Sequence, residues 1–148
     1  MSRALRIALI SAGVIVFLAI SGVLARFLSV ENAEREADQA LLSAQAAGNV
    51  GGMLERLSGC RERPKCLNLV RTDAGRLRRR GEVKILDLGS NTAYSLTGST
   101  GSTRVAWTVI GKLPIVQCVL VKRSGNFLTG ISVHLLALSG PIPNTADC

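Results

Sequence analysis

The sequence predicts an α+β protein: one N-terminal transmembrane helix, then helices packed on one face of an antiparallel sheet. Three observations carry that expectation. The run Ile7–Ala25, IALISAGVIVFLAISGVLA, holds 19 residues without a charge between Arg6 and Arg26. That is close to the ~20 residues a helix needs to cross a bilayer. Residues 31–57 are rich in Ala, Glu, Gln and Leu, which favour helix. Beyond Gly81 the chain becomes rich in β-branched residues and is punctuated by Gly, Ser and Asn, the texture of strands joined by short turns. Helices followed by a run of strands give an α+β arrangement.

The apolar run accounts for a mean hydropathy of +0.32, high for a soluble chain. Without it, roughly 120 residues remain, enough for one small domain. The expected division is therefore an anchor over 1–30 and an α+β domain over 31–148. A cleaved secretory signal is the alternative, because Val23-Leu24-Ala25 suits a signal peptidase. The apolar run, however, exceeds the ~7–15 residues of a usual signal core. Arg3 and Arg6 precede the span, whereas Arg26 and the mostly acidic ENAERE follow it. This favours a single-pass cell-membrane protein with a cytoplasmic N-terminus and an extracytoplasmic domain. Ala8, Ala12, Ala19 and Gly22 fall on one face of the span, beside Ser11. Small residues let helix backbones approach in lipid, so this face is expected to pack against the spans of other membrane-protein subunits.

All four cysteines, Cys60, Cys66, Cys118 and Cys148, lie beyond the span. An even count in an exported domain reads as disulfides. A metal site would want a second close pair or well-placed histidines, but Cys118 and Cys148 are far apart and His134 is the one histidine. Pairing 60–66 with 118–148 is the first choice; the other two pairings and free thiols stay open.

Within 31–57, Ala37, Leu41, Ala44, Val50, Met53, Leu54 and Leu57 recur at spacings of three and four, as one buried helical face requires. Glycines at 48, 51 and 52 interrupt it, so two helices are expected, about 31–47 and 50–57, with Gly59 ending the second. A short helix follows from Thr72 to Arg80, capped by Thr72 or Asp73 and stopped by Gly81. Four or five strands come next, in EVKILDLG, NTAYSLTG, STRVAWTVIG, LPIVQCVLVKRSG and NFLTGISVHLLALSG. They include a polar turn around 98–103 and a tight turn at KRSGN.

The segments ALLSAQAAGNVGGMLERLSGC, GEVKILDLGSNTAYSLTG and VLVKRSGNFLTGISV resemble the helix pair, first strand pair and closing hairpin of the cystatin-like roll, the nuclear-transport-factor-2-like superfamily. The resemblance covers about 40–138 and implies helices packed on a curved antiparallel sheet. A membrane-anchored version is similar to extracytoplasmic proteins such as the bridging scaffold of type IV secretion systems. Enzymes of that superfamily use an acid or base inside the cone, and the strands here offer no such carboxylate. A lesser resemblance is to type IV pilins, filament subunits that join an apolar helix to an α+β head. The pilin cleavage glycine and the glutamate that follows it are missing.

No catalytic pattern emerges. His134 lacks an oriented partner nearby, no G-x-S-x-G elbow surrounds any serine, and Gly98–Gly101 lacks the lysine of a phosphate loop. Neither an enzyme nor a cofactor is expected. The strongest polar signal is basic: Arg61, Arg63, Lys65, Arg71, Arg76, Arg78, Arg79 and Arg80 meet only Glu62 and Asp73 in that stretch. The predicted side of the membrane argues against nucleic acid. Arg76, Arg78, Arg79 and Arg80 are read as a solvated edge, or as a patch for anionic lipid or an acidic protein surface. The expected role is that of a non-catalytic accessory or scaffold subunit of a membrane assembly. A domain binding small molecules, or acting on them, through its concave face is the alternative.

Overall fold

The computed structural model describes residues 3–92, 98–126 and 130–148. Helix α1 runs over Arg3–Ala46, α2 over Val50–Arg56 and α3 over Pro64–Arg76. Strands β1 (Val83–Ser90), β2 (Gly98–Val109), β3 (Ile115–Asn126) and β4 (Gly130–Leu138) form one antiparallel meander in the order β1-β2-β3-β4. The fold is α+β. The chain divides into two compact units, Met1–Asn32 and Ala33–Cys148, and α1 contributes to both. In the first unit, α1 is long and apolar enough to cross a membrane.

The second unit is built on alternation in the sheet. Thr103, Val105, Trp107 and Val109 of β2 point inward and are buried, as are Gln117, Val119, Val121 and Arg123 of β3. Leu41, Leu42 and Ala44 of α1, Met53 of α2, and Val70 and Ala74 of α3 complete a single core with these strands. Trp107 donates its indole N–H to Gln117 Oε1 at 2.8 Å, and Gln117 Nε2 donates to the Ser139 carbonyl at 2.8 Å. A buried indole is thus satisfied within the core.

Helix α1 ends where the glycines predicted a bend. Gly48 takes φ +72, and the Gly48 and Asn49 amides donate to Gln45 O and Ala44 O. This is the left-handed C-terminal turn that glycine permits at no steric cost. Asn49 Oδ1 then accepts from Gly52 N at 2.9 Å and caps α2.

Four expectations need correction. The helix expected over 72–80 begins at Pro64 and ends at Arg76, so Arg78–Arg80 lie outside it. Pro64 sits in the first turn, where its missing N–H is no loss, and the Cys60–Cys66 bridge ties that turn back. Thr72 is no cap: its hydroxyl donates to Asn68 O inside the helix. The polar stretch 98–103 is the start of β2 rather than a turn, because Gly98–Thr103 pairs residue by residue with Val119–Ser124 of β3. KRSGN holds no turn before Asn126, since β3 continues to that residue. The expected strand NTAYSLTG lies largely on 93–97, outside the described residues.

Both first-choice disulfides, Cys60–Cys66 and Cys118–Cys148, are formed. The tail lies along the outer side of β2 and β3. Ile142 N donates to Val116 O at 2.8 Å, and Arg104 reaches the carbonyls of Asn144 and Ala146.

Candidate functional site

A buried polar cluster occupies the inner face of the sheet beside the first turns of the second unit. Glu34 of α1 is fully buried. Arg123 of β3 donates through Nε at 3.1 Å and Nη2 at 2.6 Å to Glu34 Oε2. Thr103 of β2 donates its hydroxyl to the other carboxylate oxygen. Ser90 Oγ, at the end of β1, accepts from Arg123 Nη2 at 3.2 Å. Three strands therefore converge on one helical carboxylate, and two cationic N–H groups and a hydroxyl offset the desolvation of its charge.

One turn along α1, Asp38 is also fully buried. Neither of its carboxylate oxygens has a hydrogen-bond partner among the described residues. Burial first, and then the negative charge of Glu34, push its pKa up to about 7. Near neutral pH this carboxyl holds or releases a proton, whereas an exposed aspartate is ionised. Further along the same face, Gln45 is buried with both amide atoms unpartnered among the described residues. Asp73 of α3 is buried as well; burial raises its pKa and the nearby Arg76 partly offsets that.

Sequence reasoning missed Glu34, Asp38 and Arg123. It looked for carboxylates on the strands, but the interior acids come from α1. A signal was present: 34, 38, 41 and 45 recur at helical spacing, and 41 was assigned to the buried face. Apolar periodicity alone does not register its polar neighbours in the same stripe.

The predicted residues fall in four places. The four cysteines form the two bridges described above. Ala8, Ala12, Ala19 and Gly22 are exposed along the apolar part of α1. Arg76, Arg78 and Arg80 are exposed, whereas Arg79 is half-buried with its guanidinium 5.6 Å from the centroid of the Trp107 ring. His134 is exposed on β4, in register with Lys122. Among the described residues, no group of three or more His, Cys, Asp and Glu side chains is arranged to hold a metal ion.

Clefts open on the surface of the second unit, and two are lined by described residues. One, of about 710 Å³, lies between the Cys60–Cys66 loop and the end of β4, with Pro64, Leu69, Ala137 and Leu138 among its walls. The other, of about 470 Å³, lies between the end of α1 and the Arg78–Val83 segment. Compared with known proteins, the chain matches no family model, no curated protein and no solved structure.

Proposed function

We propose that the chain is a non-catalytic accessory or scaffold subunit of a membrane assembly. Ile7–Ala25 holds it in the cell membrane, N-terminus inside, and its α+β domain, read as a cystatin-like roll, works on the extracytoplasmic side. The observation that carries this reading is the use made of the sheet's inner face. Leu41, Leu42, Met53 and Leu57 share it with Val105, Trp107 and Val119, all no more than 1% exposed, and Arg123 already matches the charge of Glu34. An interior committed to its own packing leaves the outer surface and the apolar helix to meet other molecules. Two disulfides fit an oxidising compartment. The small-residue face from Ala8 to Gly22 fits close helix packing in lipid.

Purification in mild detergent, with mass spectrometry of co-eluting proteins, tests the reading. A membrane protein in fixed ratio is expected, and Gly22→Leu or Ala12→Leu should loosen it without preventing insertion. A chain that elutes alone would sink the proposal.

A second reading, a domain whose interior binds a small molecule or acts on one, is favoured by Asp38, a buried carboxyl without a hydrogen-bond partner among the described residues. Native mass spectrometry of the purified chain addresses it. A bound small molecule that Asp38→Asn abolishes would support it, and an unliganded mass would count against it.

A further inference from the structure

The second unit carries an exposed apolar knob beside a basic cleft. The β2–β3 turn, Ile110-Gly111-Lys112-Leu113, presents Ile110 at 74% and Leu113 at 82% exposure. These side chains are not on a loose loop. Lys112 N donates to Val109 O, Gly111 takes φ +77, and the Thr108 hydroxyl donates to Lys112 O at 2.7 Å. The turn is also bolted to the arginine segment. Arg79 donates through Nη1 to Leu113 O at 2.5 Å, its guanidinium lies against Trp107, and its amide donates to Ala46 O. Arg79 is thereby spent on holding the turn, the segment and the end of α1 together.

Arg78 and Arg80 are not so used. Both are exposed and line the cleft of about 470 Å³, together with Ser43 and the single acid Glu82. The stem of Arg78 passes over Gly48, whose missing Cβ makes room for it. Lys112 is exposed on the turn itself. Exposed aliphatic side chains of this size on a braced turn, beside Arg78, Arg80 and Lys112, which make no ion pair among the described residues, are what an interface core and its charged rim look like before a partner arrives.

We infer that this end of the domain is a docking surface for a protein segment that carries carboxylates next to apolar side chains. The inference rests on the accessory-subunit reading, of which it names the contact. Shape selects a polypeptide over a lipid surface. A flat bilayer face cannot enter a cleft walled by Ser43, Ala46, Arg78 and Val83, whereas an extended segment seats carboxylates there and apolar side chains on Ile110 and Leu113.

The full chain in phosphatidylcholine nanodiscs is titrated, by fluorescence anisotropy, into a short labelled peptide alternating Glu and Leu. The same peptide with Gln for Glu is the comparison. The Glu peptide should bind about tenfold tighter, and the advantage should vanish as salt shortens screening from about 10 Å at 0.1 M to about 3 Å at 1 M. Arg78→Gln with Arg80→Gln should abolish the advantage, and Ile110→Ser with Leu113→Ser should weaken both peptides about tenfold. Arg78→Glu with Arg80→Glu should transfer the preference to a Lys–Leu peptide, which a misfolded chain would not do. Equal binding of the Glu and Gln peptides, or turn variants that bind unchanged, would overturn the proposal. So would co-flotation with phosphatidylglycerol vesicles that excess Glu peptide fails to displace, which gives the surface to lipid. A chain that elutes alone yet shows the peptide pattern keeps the surface and loses the accessory role. One that co-elutes with a subunit but lacks the pattern does the reverse.

Discussion

Toward Ala46, the buried face of α1 is mostly apolar: Leu41, Leu42, Ala44 and Ala46 share a core with Met53 and Trp107. Toward Ala33, the same face carries Glu34, set against Arg123 and Thr103, and Asp38. Both stretches exclude water equally, so exposure alone does not tell them apart. They differ in what a misplaced neighbour would cost. At the apolar end, a shifted side chain loses dispersion contacts by degrees. At the polar end, a shift that parts Glu34 from Arg123 leaves a charge unmatched in a low-dielectric interior. The polar end therefore discriminates more sharply between strand registers. Arg123 reaches Glu34 only when β3 is in register with β2, which brings Thr103 to the same carboxylate.

The largest expected effect breaks the polar end. Arg123→Met should destabilise the chain by about 3–5 kcal/mol by leaving Glu34 buried without its cation. Joint replacement, Glu34→Leu with Arg123→Met, should recover most of that loss. Urea unfolding of the full chain in detergent micelles measures both. A double variant as unstable as the single one would mean that the pair stabilises more than an apolar replacement does.

Asp38 sharpens the comparison through pH. Its folded-state pKa of about 7 lies above the ordinary 3.8, so folding takes up a proton between those values. Its contribution to stability is complete below pH 4 and is lost as pH rises through 7. The difference across that window is roughly 4 kcal/mol. Asp38→Asn should therefore melt higher than the parent at pH 8 and about level with it at pH 4. A melting difference that does not change with pH would show that Asp38 is not the group that titrates.

At the apolar end, Leu42→Ala should cost about 3 kcal/mol through the cavity it leaves. The loss should be the same at pH 5 and pH 8, because no charge is involved. Were it to vary with pH, the two ends would be coupled through α1 rather than separate. The smallest effect belongs to the outer face: His134→Ala should stay within about 0.5 kcal/mol of the parent, as measured by the same unfolding midpoint.

Much of the architecture was legible because it follows from local chemistry. The apolar run that closes at Arg26, the glycine bend at Gly48 and the β-branched and aromatic texture of STRVAWTVIG are each set by a few neighbouring residues. The pairing of Cys60 with Cys66 could be chosen first because a short loop keeps the two thiols close. The start of α3 was missed because Pro64 acts together with the Cys60–Cys66 bridge, and a bridge is a contact rather than a local preference. The β2 start shows the same limit: GSTGST is turn-like by composition, and it extends the expected strand STRVAWTVIG only through its pairing with β3.

The sequence by itself determined the apolar helix, the order of helices before strands, the even set of cysteines beyond the span and the density of arginine after α3. Those properties reside in composition, spacing and backbone preference, which neighbouring residues settle among themselves. Only the tertiary structure decided that Glu34 and Asp38 are interior and that Arg79 is a brace while Arg78 and Arg80 stay exposed. A charge reads as solvated until a partner 89 residues away is brought to 2.6 Å. Burial and pairing belong to the packed chain, because the energy of a charge depends on its surroundings far more than on the residues beside it in sequence.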